Sequence, residues 1–184
     1  MISVAIKKSI ANESEDAKIL RDQMLCSAID DYKTEFVKTT INGKPYLENC
    51  DIGFSVSHSG GALLVAVNAG KKVPDSLFYF EGGKEYNIGA DIEALGKRNE
   101  ESLLRICDKR FSDAEKQAVY TSKDTELAFL DIWTKKEAYL KLIGIGIKGI
   151  ADADTAALEK DYIFYTEKVS LEGKEYVFSV CVKR

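Results

Sequence analysis

The chain moves between two hydrophobic rhythms. "ISVAI" near the N-terminus crowds β-prone apolar residues and predicts a strand, followed by the polar turn region "KKSIANESED". "EDAKILRDQMLCSAIDDY" instead places its apolar residues at helical spacing and predicts an amphipathic helix. From Asn42 and Gly43 onward the runs shorten. "FSVS" and "ALLVAVN" are predicted strands joined by the turn "HSGG", and "SLFYF" and "YNIGADIE" are two more, with "EGGKE" as a hairpin turn between them. Beyond Glu93 the helical period returns. "EESLLRICDKR" predicts one helix and "SDAEKQAVYTS" a second, opened by the capping-box pair Ser112 and Glu115. A third, longer helix starts near Asp124 or Thr125 and runs through "IWTKKEAYLKLIGIGIKG". Trp133, Tyr139, Leu140 and Ile143 mark its apolar face and Gly144 its C-cap. "DYIFYTEKV" and "KEYVFSVCV" around "LEGK" predict two closing strands. Helix followed by strands in each half points to an α+β fold of two similar halves packed together.

Composition narrows the class. A chain of 184 residues, 45% hydrophobic and 30% charged, suits one domain, or two small halves sharing one core. A net charge of -4 leaves no nucleic-acid footprint and no attraction to an anionic membrane. No segment approaches the roughly 18 to 20 apolar residues of a membrane span. The N-terminus lacks a basic region ahead of a long apolar run, so no signal peptide is expected. Cys26, Cys50, Cys107 and Cys181 form no CxxC pair, and with a single histidine they argue against a zinc site. The expectation is reduced, mostly buried thiols in a cytoplasmic protein without nucleic-acid or membrane partners.

Candidate chemistry gathers in three segments. In the strand "NIGADIE", Asp91 and Glu93 alternate and so share a face. Two like charges held together call for a cation such as Mg²⁺; alternatively one points to solvent and the other caps the next helix. Glu137 could reach the same cation from the long helix, with Lys141 one turn on facing phosphate oxygens; the alternative is a solvated i, i+4 pair of about 0.3–0.5 kcal/mol. Lys135, Lys136 and Lys148 add positive charge nearby, Lys135 reading as solvated. In "FSVSHSGG", Ser57 and Ser59 flank His58. No G-x-S-x-G elbow supports a catalytic triad there, whereas hydroxyls, an imidazole and free backbone N–H groups suit a phosphate. A hydrogen-bonded turn with a structural histidine is the alternative.

Five segments stand in the order of one family: "GKP" at 43–45, "FSVSHSG" at 54–60, "IGADIE" at 88–93, "RFSDAE" at 110–115 and "WTKKEAYLKLIGIG" at 133–146. Together they resemble the 4′-phosphopantetheinyl transferases, and within them the surfactin-type (Sfp-type) branch. The resemblance implies a single transferase domain built as an internal pseudo-dimer, with halves of about 1–85 and 86–184, acting as a monomer. It implies transfer of the 4′-phosphopantetheine arm of coenzyme A to a serine of an apo acyl or peptidyl carrier protein, with Mg²⁺ and release of adenosine 3′,5′-bisphosphate. Carried over by position, Asp91, Glu93 and Glu137 look like the metal ligands, and Glu137, or a water it holds, like the general base. Lys141 looks like the diphosphate contact, and Lys44, Ser57 and His58 are similar to the family's phosphate-binding positions for coenzyme A.

Carriers of fatty-acid, polyketide and nonribosomal peptide biosynthesis all offer the same acceptor serine. Ala90 and Val56 replace bulkier aliphatic residues of the pattern. The N-terminal half is short and has no match to the family's early basic residues, leaving Arg21, Lys38 and Lys44 as candidates for the adenosine end. Carrier docking is expected after Glu93 and along the helices to Lys123, where Leu103, Leu104 and Ile106 are either contacts or core. Two other readings carry different expectations: a trimeric holo-acyl-carrier-protein synthase, and a catalytically silent relative that binds coenzyme A or a carrier.

Overall fold

The computed structural model describes residues 1–48, 50–83, 85–96 and 98–184. Its first half opens with strand β1 (Ile2–Lys8) and helix α1 (Glu13–Ala28). The Asn12 side chain caps α1 by accepting from the amides of Ser14 and Glu15. The helix stops at Ala28 rather than running on to Tyr32, because Ile29 is extended and Asp31 adopts a left-handed φ of 53°. A small hairpin of β2 (Val37–Thr39) and β3 (Pro45–Leu47) follows, then β4 (Gly53–Ser59), β5 (Ala62–Asn68) and β6 (Phe78–Phe80). The second half comprises β7 (Ile88–Ala94), α2 (Glu100–Arg110), α3 (Asp113–Tyr120), α4 (Thr125–Ile143), the single turn α5 (Thr155–Leu158), β8 (Tyr162–Leu171) and β9 (Lys174–Lys183).

Two antiparallel sheets result, one in the order β4-β5-β1-β6 and one in the order β7-β9-β8. Their inner faces pack together. Ile2, Val4 and Ile6 of β1 and Leu64 of β5 meet Ile88 and Ile92 of β7 and Phe178 and Val180 of β9 in one cluster. The alternate residues of β1 and β5, among them Ala5, Leu63, Val65 and Val67, pack on Leu20, Met24 and Leu25 of α1. Helix α4 covers the other sheet: Ala138 and Leu142 sit on Cys181, and Phe129, Leu130 and Ile132 join Leu103, Cys107 and Val177. With helices outside and sheets inside, β5 is buried along its whole length, which suits its unbroken apolar run.

Several sequence expectations need correcting. "SLFYF" and "YNIGADIE" do not form a hairpin: β6 pairs with β1, placing Phe80 opposite Ile2, and β7 pairs with β9. Alternation reveals which face of a strand is buried, not which strand lies beside it. Lys84 of the intervening "EGGKE" lies outside the described residues. The "HSGG" turn is also shorter than predicted. His58 and Ser59 belong to β4, and the loop is Gly60–Gly61 alone, with φ of 61° and 94° as a tight two-residue hairpin demands. Among the described residues, no helix is long and apolar enough to cross a membrane. All four cysteines are free thiols, and burial falls to Cys107 and Cys181, while Cys26 is exposed.

Candidate functional site

Strand β7 and helix α4 come into close contact at Gly89. A Cβ at that position would lie 1.9 Å from the carbonyl oxygen of Ala138 and 2.4 Å from the amide nitrogen of Leu142, so only glycine lets the helix lie this near the strand. Two residues on, the same face of β7 presents Asp91, and one step further Glu93. The tight crossing brings Glu137 and Lys141 of α4 over these carboxylates.

Asp91 is 5% exposed. Its Oδ1 accepts from Lys141 Nζ at 2.7 Å and from Ser57 Oγ at 2.8 Å, and Lys141 also donates to Ser57 Oγ at 2.7 Å. Among the described residues, Asp91 Oδ2 is the buried side-chain oxygen with no hydrogen-bond partner. Burial raises the Asp91 carboxyl above its ordinary range, and the charge of Glu93 adds to the rise, against the opposing pull of the Lys141 ammonium and the Ser57 hydroxyl. Glu93 Oε2 accepts from Ser59 Oγ and from Arg98 Nη2, both at 2.8 Å. Glu137 is pushed up to about 7, by burial first and then by the charge of Asp91, with a smaller push from Glu93. Its i, i+4 neighbour Lys141 forms its ion pair with Asp91.

A shortage of positive charge around three acids is what a cation would relieve. Hard oxygen donors, one of them buried and unpartnered, fit Mg²⁺, which takes few protein ligands and completes its shell with water and phosphate. The acids are not drawn into a closed cage: among the described residues, no group of three His, Cys, Asp or Glu side chains stands ready to enclose a metal.

The serines of β4 join the two sheets at their edges. Ser55 Oγ accepts from the Ala90 amide at 2.9 Å, while Ser57 and Ser59 reach Asp91 and Glu93. Their spacing of two is the signal in the sequence: Ser57 and Ser59 stand out there as the pair flanking His58, whereas Ser55 does not. Alternation turns His58 to the opposite side, where its Nδ1 lies 3.0 Å from Glu13 Oε2 of α1. Lys44 does not join it. The Lys44 ammonium reaches Leu142 O at 2.5 Å and Asn87 Oδ1 at 2.6 Å, and burial lowers it to about 8. Lys44 instead lines a cavity of about 260 Å³ with Ser55, Glu137, Lys141, Gly144 and Gly146, opening beside the carboxylates.

Lys136 departs furthest from its expected place. It is fully buried, paired with Glu115 of α3 at 2.8 Å, and donates to the Ala153 and Arg110 carbonyls. Glu115 meanwhile accepts from the amides of Ser112 and Thr155. Lys135 forms a half-buried i, i+4 pair with Asp131. Leu103 is core, and Leu104 and Ile106 pack against that same cluster.

The chain is similar to known proteins. The chain is 29% identical over 150 residues to the 4′-phosphopantetheinyl transferase pptA of Paxillus involutus, covering 74% of this chain and 51% of that protein. It is 31% identical over 119 residues to the L-aminoadipate-semialdehyde dehydrogenase-phosphopantetheinyl transferase of Schizosaccharomyces pombe, covering 61% of this chain and 44% of the relative. It is 29% identical over 127 residues to the 4′-phosphopantetheinyl transferase psf-1 of Bacillus pumilus, covering 67% and 46%. The chain thus spans about half the length of the curated relatives it matches. Residues 87–181, which run from the start of β7 into β9 and hold Asp91, Glu93, Glu137 and Lys141, match the profile of a single family: the chain belongs to the 4′-phosphopantetheinyl transferase superfamily.

Proposed function

We propose that this chain transfers the 4′-phosphopantetheine arm of coenzyme A to a serine of an apo acyl or peptidyl carrier protein, with Mg²⁺, and releases adenosine 3′,5′-bisphosphate. The observation that carries this reading is the state of Asp91: buried, one oxygen held by Lys141 and Ser57, the other unpartnered, with Glu137 alongside. A buried acid with a spare lone pair and a neighbouring ammonium suits a diphosphate delivered together with its cation.

Asp91, with Glu93 and Glu137, would hold Mg²⁺, which when bound supplies positive charge to the diphosphate. The chain's own residues do the rest. Glu137, whose carboxyl sits near neutrality, takes the proton from the carrier serine hydroxyl. The serine oxygen bonds to the phosphorus that bears the pantetheine arm, and the bond from that phosphorus to the bridging oxygen breaks. Lys141 offsets the charge that grows on the departing phosphate. Ser57 keeps the Lys141 ammonium and the Asp91 carboxylate aligned through its two short contacts. The cavity beside Lys44 gives the diphosphate room to approach the acids.

We also infer that the halves, about 1–85 and 86–184, form an internal pseudo-dimer in the manner of the surfactin-type branch. The order β4-β5-β1 backed by α1 repeats as β8-β9-β7 backed by α4. One chain then supplies both halves and acts as a monomer, so gel filtration should return the mass of a single 20.4 kDa chain. The function itself is tested by incubating the protein with coenzyme A, Mg²⁺ and apo carriers of the fatty-acid, polyketide and peptide-synthetase classes. The expected result is a gain in the carrier's intact mass equal to one phosphopantetheine. If no carrier of any class gains mass, the reading is wrong.

A further inference from the structure

We propose that Glu13 closes the anion site of the β4–β5 turn from within, so that this chain does not read the 3′-phosphate of coenzyme A there and uses 3′-dephospho-coenzyme A equally well. The inference rests on the function proposed above. Coenzyme A carries a phosphomonoester apart from its diphosphate, and a protein that reads it needs donors free to meet a dianion. The turn offers two, the His58 imidazole and the Gly61 amide. One carboxylate spans both: Gly61 N–H donates to Glu13 Oε1 at 2.6 Å, and His58 Nδ1 lies 3.0 Å from Glu13 Oε2.

The clamp is built in. Glu13 is the first residue of α1, directly after the Asn12 cap. Ser9 N–H donates to Gly61 O at 2.8 Å and the Tyr176 hydroxyl to Gly60 O at 3.0 Å, tying the turn to the loop that leads into α1 and to β9. The approach to α1 is spent in the same way, because Asp16 Oδ2 accepts from the Ser9 hydroxyl and from the amides of Ile10 and Ala11. An arriving phosphate would therefore meet two carboxylates. The other basic candidates are engaged or remote. Lys44 is bonded to the end of α4, Arg21 is paired with Asp22 at 2.7 Å, and Lys38 is an exposed side chain on β2, where water screens its pull.

The test compares coenzyme A with 3′-dephospho-coenzyme A, by calorimetric binding in Mg²⁺ and by carrier loading. The wild type should bind both within about threefold. Glu13→Ala frees both donors and should tip binding toward coenzyme A by about tenfold, the scale of one charge-assisted contact, with Glu13→Gln in between. A wild type that binds coenzyme A more than about tenfold tighter, or a Glu13→Ala protein with an unchanged ratio, overturns the inference. Equal binding without carrier loading sustains it and defeats the proposed function. Failure to bind either nucleotide defeats both.

Discussion

Lys136 Nζ and Glu115 Oε2 lie 2.8 Å apart with both side chains shut away from solvent, tying α4 to α3 beneath the loop that runs from 144 to 154. The pair adds little for its charges alone, since desolvation offsets most of the attraction, but removing one partner strands the other in a dry interior. Lys136→Met should therefore cost about 3–5 kcal/mol of unfolding free energy. Lys136→Met combined with Glu115→Gln should cost less than the sum of the two single changes, because no lone charge stays buried. Urea denaturation of the three variants measures this.

Gly89→Ala tests the contact that builds the site. The added methyl would collide with backbone rather than with a movable side chain, so α4 must shift. We expect a stability loss of about 1–3 kcal/mol, and a fall in carrier loading at temperatures where the variant is still fully folded. Loading at the wild-type rate by a folded Gly89→Ala protein would show that the closeness of β7 and α4 is not required.

Asp91→Ala and Glu137→Gln should abolish carrier loading, a drop of about 10²-fold or more, with far-ultraviolet circular dichroism unchanged. Lys141→Ala should slow it strongly. Mg²⁺ should raise the melting temperature of the wild type and leave that of Asp91→Ala unmoved, as binding only to the intact site requires. Asp91→Ala protein that loaded a carrier at near wild-type rate would refute the site assignment.

Glu137 gives the site a pH signature. Its folded value of about 7 lies above the ordinary 4.5, so the native state favours the protonated form. The stability this contributes is fully present below about 4.5 and is lost as pH rises through about 7. In chelator-treated buffer the wild type should lose stability relative to Glu137→Gln between about pH 5 and about pH 8, followed by denaturation midpoints. A constant difference across that range would rule out the raised carboxyl.

Much of this is legible in the residues alone. The Ser112–Glu115 capping box and Gly144, with its φ of 77°, mark helix ends through local chemistry and appear where expected, and α4 begins at Thr125, one of the two expected starts, with Asp124 as its cap. The turn between β8 and β9 is equally local. What escaped notice depends on partners remote in sequence. Lys136 reads as one more solvated lysine until Glu115 is brought to it by the packing of α3 on α4. His58 and Ser57 are neighbours in the chain, yet strand alternation sends one to Glu13 and the other to Asp91. The resemblance groups Lys44 with Ser57 and His58 as phosphate-binding positions, whereas its ammonium donates to the Leu142 carbonyl at the end of α4.

The joint between the two sheets has a further consequence. Strands β4 and β7 meet through hydroxyls on alternate residues, and two of those hydroxyls end on the acids that the proposed cation would engage. Whatever rearranges Asp91 and Glu93 must also retune the stitching that keeps the two lobes together. A cation that engaged these acids would therefore act on the seam between the sheets as well as on the chemistry of the site.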